Sequence, residues 1–138
     1  MNRSPLFAAP AIATLIAVGA CAPVEGSSRA DPALAGPAVK VVGEAKNCIR
    51  TQAIRQSRVR SDQVIDFEMI GGQVYRSTLP NRCPRLGFER GFSYATSINQ
   101  LCKQDIIRVI SPVAGQLDLG AGCGLGEFVP VEYITSDE

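Results

Sequence analysis

Four cysteines, Cys48, Cys83, Cys102 and Cys123, are spread through the C-terminal part of a 138-residue chain that contains no histidine. Zinc sites use closely spaced ligand pairs, whereas these cysteines stand 35, 19 and 21 positions apart. There is no Cys-x-x-Cys motif, which argues against a thioredoxin-like redox role. Spread cysteines in even number read instead as two disulfides, provided that the chain reaches an oxidising compartment.

The N-terminus supplies that condition. "MNRSPLFAAPAIATLIAVGAC" runs from Arg3 into an uncharged apolar stretch, Leu6 to Val18, the pattern of a secretory signal peptide over residues 1–20. The stretch is shorter than the about 20 apolar residues a membrane span needs, and Pro10 interrupts its helix. It ends in "VGAC", which resembles the bacterial lipobox, so Cys21 is expected to carry lipid and to become the mature N-terminus. Ala22 follows where an aspartate often signals inner-membrane retention, so the resemblance implies the periplasmic side of the outer membrane. Ordinary signal-peptidase cleavage after Ala20 or Ala22, releasing a soluble periplasmic protein, is the alternative.

Residues 21–45 are rich in Ala, Pro, Gly and Ser without a sustained period, a flexible linker composition with a reach of roughly 25 to 30 Å. Only "AVKVVGE" within it hints at an added edge strand. The remaining 93 residues, Lys46 to Glu138, suffice for one domain with a small core that staples would help to hold. "QVIDFEMI" alternates Ile65, Phe67 and Met69 with Asp66 and Glu68, the period of a strand with one buried face. A glycine pair and "QVYRSTL" complete a hairpin. A three-residue loop, Gly71 to Gln73, would set Glu68 opposite Arg76 and Met69 opposite Tyr75, and is preferred to a two-residue turn that sets Phe67 against Arg76.

Further strands are predicted at "GFSYAT", "DIIRVIS" and "EFVPVEYI", the last an edge strand because of Pro130. Residues 49–60 are ambiguous between helix and strand. "TSINQLC" could form a helical turn capped by Thr96 or Ser97, and "GAGCGLG" reads as a glycine-rich turn that brings Cys123 to its partner. The fold class is therefore mainly β, a small antiparallel barrel or sandwich of about five to six strands with short helical turns and two disulfides. Four cysteines allow three pairings, and spacing does not choose. The expectation adopted is nested: Cys83 with Cys102, Cys48 with Cys123.

The absence of histidine removes the usual general base and the Ser-His-Asp and Cys-His sets. Ser93 in "GFSYA" has no histidine to activate it, and Ala95 stands where a nucleophile elbow needs glycine. The glycines of "GAGCGLG" fit neither phosphate-loop spacing. Asp66 and Glu68 share a strand face and are read as its solvated side, in preference to a cation site or an acid pair. No cofactor, metal or nucleic acid is expected. From Lys46 to Arg108 eleven basic residues face five acidic ones, and from Val109 onward there are five acidic residues and no base. Pairing between basic body and acidic tail is the preferred account. Arg55, Arg58 and Arg60 in the densest cluster, and Arg82 and Arg85 in "LPNRCPRL", are candidates for meeting an anionic surface or an envelope partner.

The run "GGQVYRSTLPNRCPRLGFERGFSYATSINQLCKQDIIRVI", with "CGLGEF", resembles a family of small exported proteobacterial proteins known only as a domain of unknown function. Tyr75, Arg76, Pro80, Cys83, Pro84, Tyr94, Cys102, Asp105, Cys123 and Phe128 are among the matching residues. The resemblance implies an envelope location and carries no activity or ligand. The expected function is a non-enzymatic envelope lipoprotein that binds another component or has a structural role. An inhibitor of an envelope-attacking hydrolase, using "LPNRCPRL" as its loop, or a small enzyme without histidine, is the alternative.

Overall fold

The computed structural model describes residues 31–135, so the expected signal peptide, Cys21 and the first part of the expected linker lie outside the described residues. In chain order the strands are β1 (Val39–Val41), β2 (Cys48–Arg50), β3 (Ile54–Val59), β4 (Val64–Met69), β5 (Val74–Thr78), β6 (Phe92–Tyr94), β7 (Gln100–Cys102), β8 (Ile106–Val113), β9 (Gln116–Gly124) and β10 (Phe128–Tyr133). One short helix, α1 (Leu86–Glu89), lies between β5 and β6. All pairings are antiparallel, in a five-stranded sheet β1-β10-β5-β4-β3, a three-stranded sheet β6-β8-β9 and a β2-β7 pair. The fold is mainly β with two disulfides, as the alternation and the cysteines predict. Of the additional strands, β2 and β7 are three-residue pieces too short to show a period, β3 lies in the ambiguous stretch, and β9 is long but rich in glycine.

The central hairpin shows how local chemistry sets register. Met69 N donates to Gln73 O at 2.8 Å, and the pairs behind it are Glu68 with Val74, Phe67 with Tyr75 and Asp66 with Arg76. The loop is three residues long, as expected, but comprises Ile70 to Gly72 instead of Gly71 to Gln73. Gly71 and Gly72 have φ of 101° and 92°, left-handed values that suit glycine, and Gly72 N donates to Met69 O at 3.0 Å, which closes the turn on Met69 and leaves Gln73 to pair with it. Moving the loop one residue back shifts the register by two, so each side chain keeps its face but changes its partner. Asp66, not Glu68, meets Arg76.

Ile65, Phe67 and Met69 point from β4 into the core, together with Tyr75 from β5 and Phe128 from β10. Leu101, Ile107 and Val109 from the smaller sheets join the same cluster. The Phe67 ring meets Phe128 and Phe92 edge-on at centroid distances of 5.5 and 6.3 Å, tying the five-stranded sheet to the three-stranded one. Such edge-to-face contacts add about 0.5–1.5 kcal/mol each beyond the area buried.

Several expectations are corrected. The cysteines pair Cys48–Cys102 and Cys83–Cys123, interleaved and not nested. The cause is that "TSINQLC" ends in strand β7 instead of forming a helical turn, which sets Cys102 directly opposite Cys48 on β2. "GAGCGLG" is mostly strand, the end of β9, in which Cys123 pairs with Ile107 of β8. Residues 49–60 divide into β2, a 3-10 turn at Thr51–Ala53 and β3. Pro130 lies inside the sheet, because β1 pairs on the outer side of β10. Val42 N donates to Pro130 O at 3.0 Å, so the missing proline N–H points the same way and the β1 ladder ends there. The hinted edge strand in "AVKVVGE" is thus real, and the stretch read as linker from Pro32 onward belongs to the folded unit: Ala33 is buried, and its carbonyl accepts from Gln63 N at 3.0 Å.

Candidate functional site

Polar chemistry concentrates on the outer face of the five-stranded sheet, around Asp66. This face was expected to be solvated. Asp66 is instead 0% exposed and Glu68 is buried, because long arginine side chains from the neighbouring strands and the Ala33–Pro37 segment close over them. The Asp66 carboxylate accepts from Arg76 Nε at 2.7 Å, Arg76 Nη2 at 3.0 Å, Arg60 Nε at 2.8 Å and Tyr133 Oη at 3.0 Å. Arg60 also donates to Tyr133 Oη at 2.8 Å, and Arg76 Nη1 donates to Pro37 O at 3.0 Å. Strands β3, β4, β5 and β10 each contribute one member or its immediate flank.

Burial alone pushes the Asp66 carboxyl up, but the hydrogen bonds from Arg76 and Arg60 and the Arg76 charge outweigh it, so its pKa lies below the ordinary aspartate range. For Arg60, burial works against the charge and the Asp66 hydrogen bond overcomes it, leaving the pKa raised. Burial raises that of Tyr133. Every side-chain oxygen at the centre has a partner, and no buried side-chain polar atom among the described residues lacks one. A carboxylate held this far toward its charged form by two cations is a poor proton donor or acceptor near neutral pH.

Next along the sheet, Glu68 binds Arg55 Nη2 at 3.0 Å and Arg58 Nε. Three of the candidate arginines, Arg55, Arg58 and Arg60, are therefore brought together, but each is held by an acidic neighbour on β4. Arg82 Nε binds Asp62 Oδ2 at 2.8 Å, and Arg85 pairs with Glu89 four residues on. The basic body thus pairs chiefly with its own acids. Only Lys103 with Glu127, at 2.9 Å, joins it to the acidic tail among the described residues, which corrects the expected balance. Sequence reasoning missed Arg76 and Tyr133 as members of the cluster. No local signal pointed to them, because an aspartate alternating with apolar residues needs a cation only once it is buried, and burial is set by the assembled sheet.

Leu79 to Leu86 forms the second feature. Cys83 is buried and disulfide-bonded to Cys123, while Leu79 and Leu86 sink into the core on either side. Asp62 brackets the loop: its backbone oxygen accepts from Cys83 N at 2.8 Å, and its carboxylate accepts from Gly87 N at 2.8 Å as well as from Arg82. The Gly87 hydrogen bond, more than the Arg82 charge, holds the Asp62 pKa below its ordinary value. Cys83 is therefore a staple, and Arg82 and Arg85 project from a fixed base.

A third feature is the β8–β9 hairpin, which closes through Ala114 and Gly115 at φ of 49° and 80° and exposes Ile106, Leu117 and Leu119. Ser93 pairs with Arg108 on this sheet. No group of three or more metal-ligating side chains occurs among the described residues. The architecture defines a disulfide-stapled antiparallel β domain with a saturated buried ion cluster. Comparison with family models, with curated proteins and with solved structures found no match.

Proposed function

We propose that this chain is an envelope lipoprotein, anchored through Cys21, whose folded domain works by binding and not by catalysis. The observation that carries this reading is the saturation of Asp66: the most deeply buried carboxylate spends its lone pairs on Arg60, Arg76 and Tyr133, as a structural clamp does. Glu68, Asp62 and Glu89 are likewise engaged by arginines. What remains accessible is surface: exposed arginines on a stapled loop and apolar side chains on the β8–β9 hairpin. The export pattern of the N-terminal sequence supports an envelope location for that surface.

Incubation of the purified protein with peptidoglycan, lipopolysaccharide and phospholipid is expected to give no turnover, and intact mass is expected to show acylated Cys21. Turnover abolished by Glu68→Gln, with folding preserved, would refute the binding reading. An unmodified N-terminus after signal cleavage would refute the anchor. Inhibition of a hydrolase remains a second reading because the Leu79–Leu86 loop is rigid and exposed at Arg82 and Arg85. Inhibition that persists in Arg82→Ala and Arg85→Ala variants would remove the loop from it.

A further inference from the structure

We propose that the α1 knuckle, exposed Phe88 with Arg85 against its ring and Arg90 at the helix end, docks the domain onto an anionic lipid surface. The inference rests on the envelope reading above and adds the chemistry of one contact. Phe88 is 80% exposed, more than any other large hydrophobic side chain among the described residues. Nothing about its neighbours is loose. Leu86, two residues before it, is 0% exposed in the core, and Gly87 lies so close to the 61–62 backbone that an added Cβ would sit 3.0 Å from the Ser61 carbonyl carbon. The Gly87 hydrogen bond to Asp62 and the Cys83–Cys123 disulfide fix the base.

Arg85 and Arg90 cap the helix at φ of 67° and 55°, left-handed values that cost a non-glycine residue energy and that turn the chain sharply at both ends. The effect is to push one aromatic ring outward on a rigid stub. The Arg85 guanidinium carbon stands 5.7 Å from its centroid. Arg90 has no acidic partner within ion-pair distance among the described residues, and it lines a shallow cleft of about 220 Å³ with Arg58 and Arg60, whose own charges are paired with Glu68 and Asp66.

An exposed apolar wedge beside an outward-facing guanidinium suits a lipid interface: Arg85 pairs with Glu89, yet its side chain is 67% exposed and that of Glu89 only 8%, so the cation is the partner that faces out. The ring enters the headgroup boundary while the guanidinium groups stay at phosphate level. A folded acidic protein would need a contact of roughly 800 Å² per partner with several apolar anchors, whereas α1 offers one, Phe88. One lipid anchor gains from a basic patch as its second signal, which is the role assigned to the knuckle.

The chain has no tryptophan, so Phe88→Trp in the full chain is a sole reporter at an exposed site. The protein is reconstituted with vesicles of phosphatidylcholine alone or with added phosphatidylglycerol, and circular dichroism checks the fold. The expected result is a blue-shifted emission, quenched by brominated lipid, only with phosphatidylglycerol. Arg90→Gln in the same background should weaken the effect about fivefold, as should added salt. An emission that stays red and unquenched, or equal quenching in both vesicles, would overturn the proposal while leaving the binding reading standing. Arginine-dependent binding to soluble polyglutamate without lipid quenching would reassign the surface to an acidic protein and overturn it equally.

Discussion

Asp66→Asn preserves the shape of the buried side chain and removes the charge that two arginines share. The native carboxylate accepts four hydrogen bonds, two from Arg76 and one each from Arg60 and Tyr133. An amide offers one acceptor oxygen and turns N–H donors toward guanidinium donors. Breaking a buried ion pair from one side costs about 3–5 kcal/mol because a charge is left unpaired. Arg60 and Arg76 retain 22% and 15% side-chain exposure, so water compensates part of that charge, and the low end of the range, about 3 kcal/mol, is expected. That is a large share of the about 5–15 kcal/mol that stabilises a domain.

The pH dependence fixes the cause. Asp66 has a folded pKa below its unfolded value of about 3.9, so its contribution is present above about pH 4 and is lost as pH falls through the folded value. The gap between wild type and Asp66→Asn should therefore be full at neutral pH and narrow well below about pH 4, where the wild-type carboxyl also loses its charge. Urea unfolding with disulfides intact, followed by circular dichroism at both pH values, measures it. A loss below about 1 kcal/mol at neutral pH, or a gap that does not change with pH, would refute the clamp.

Peptide mapping without reduction should recover Cys48 linked to Cys102 and Cys83 linked to Cys123, and finding either nested pair would overturn the topology. By loop entropy, with separations of 54 and 40 residues, removing either bond should cost about 4 kcal/mol in denaturant unfolding, with Cys83→Ala the worse since it also opens the core. Gly126→Ala should destabilise by at least about 3 kcal/mol or prevent folding, because a Cβ there would overlap the Thr78 carbonyl oxygen; a near-native melting temperature would refute that packing. With no histidine, and Cys48, Cys83, Cys102 and Cys123 oxidised, the usual groups that titrate around neutral pH are missing, so the melting temperature should be flat between about pH 5 and 8.

The sequence by itself determined the class of fold and its principal hairpin. Alternation along Val64 to Met69 marks one inward face because side chains on a strand have a period of two, and the glycine pair marks a turn because only glycine takes those φ values freely. Four spread cysteines, even in number and without metal-site spacing, point to two disulfides, and the structure contains two. Inward and outward positions survive a two-residue register error, which is why the hydrophobic face was legible although the hairpin partners were not.

Only the tertiary structure decided what lies across from what. Strand β7 is three residues long, and three residues show no period, so nothing local could reveal that Cys102 stands opposite Cys48. Pro130 looks like an edge residue in isolation, and β1, arriving from a stretch of linker composition, covers it. The fate of Asp66 is the clearest case. An aspartate alternating with apolar residues reads as solvent-facing, and it becomes a fully buried anion because register delivers Arg76, β3 delivers Arg60, and β10 delivers Tyr133. Burial of a charge depends on partners that converge from distant positions, and convergence is a property of the assembled sheet, whereas periodicity is a property of the chain.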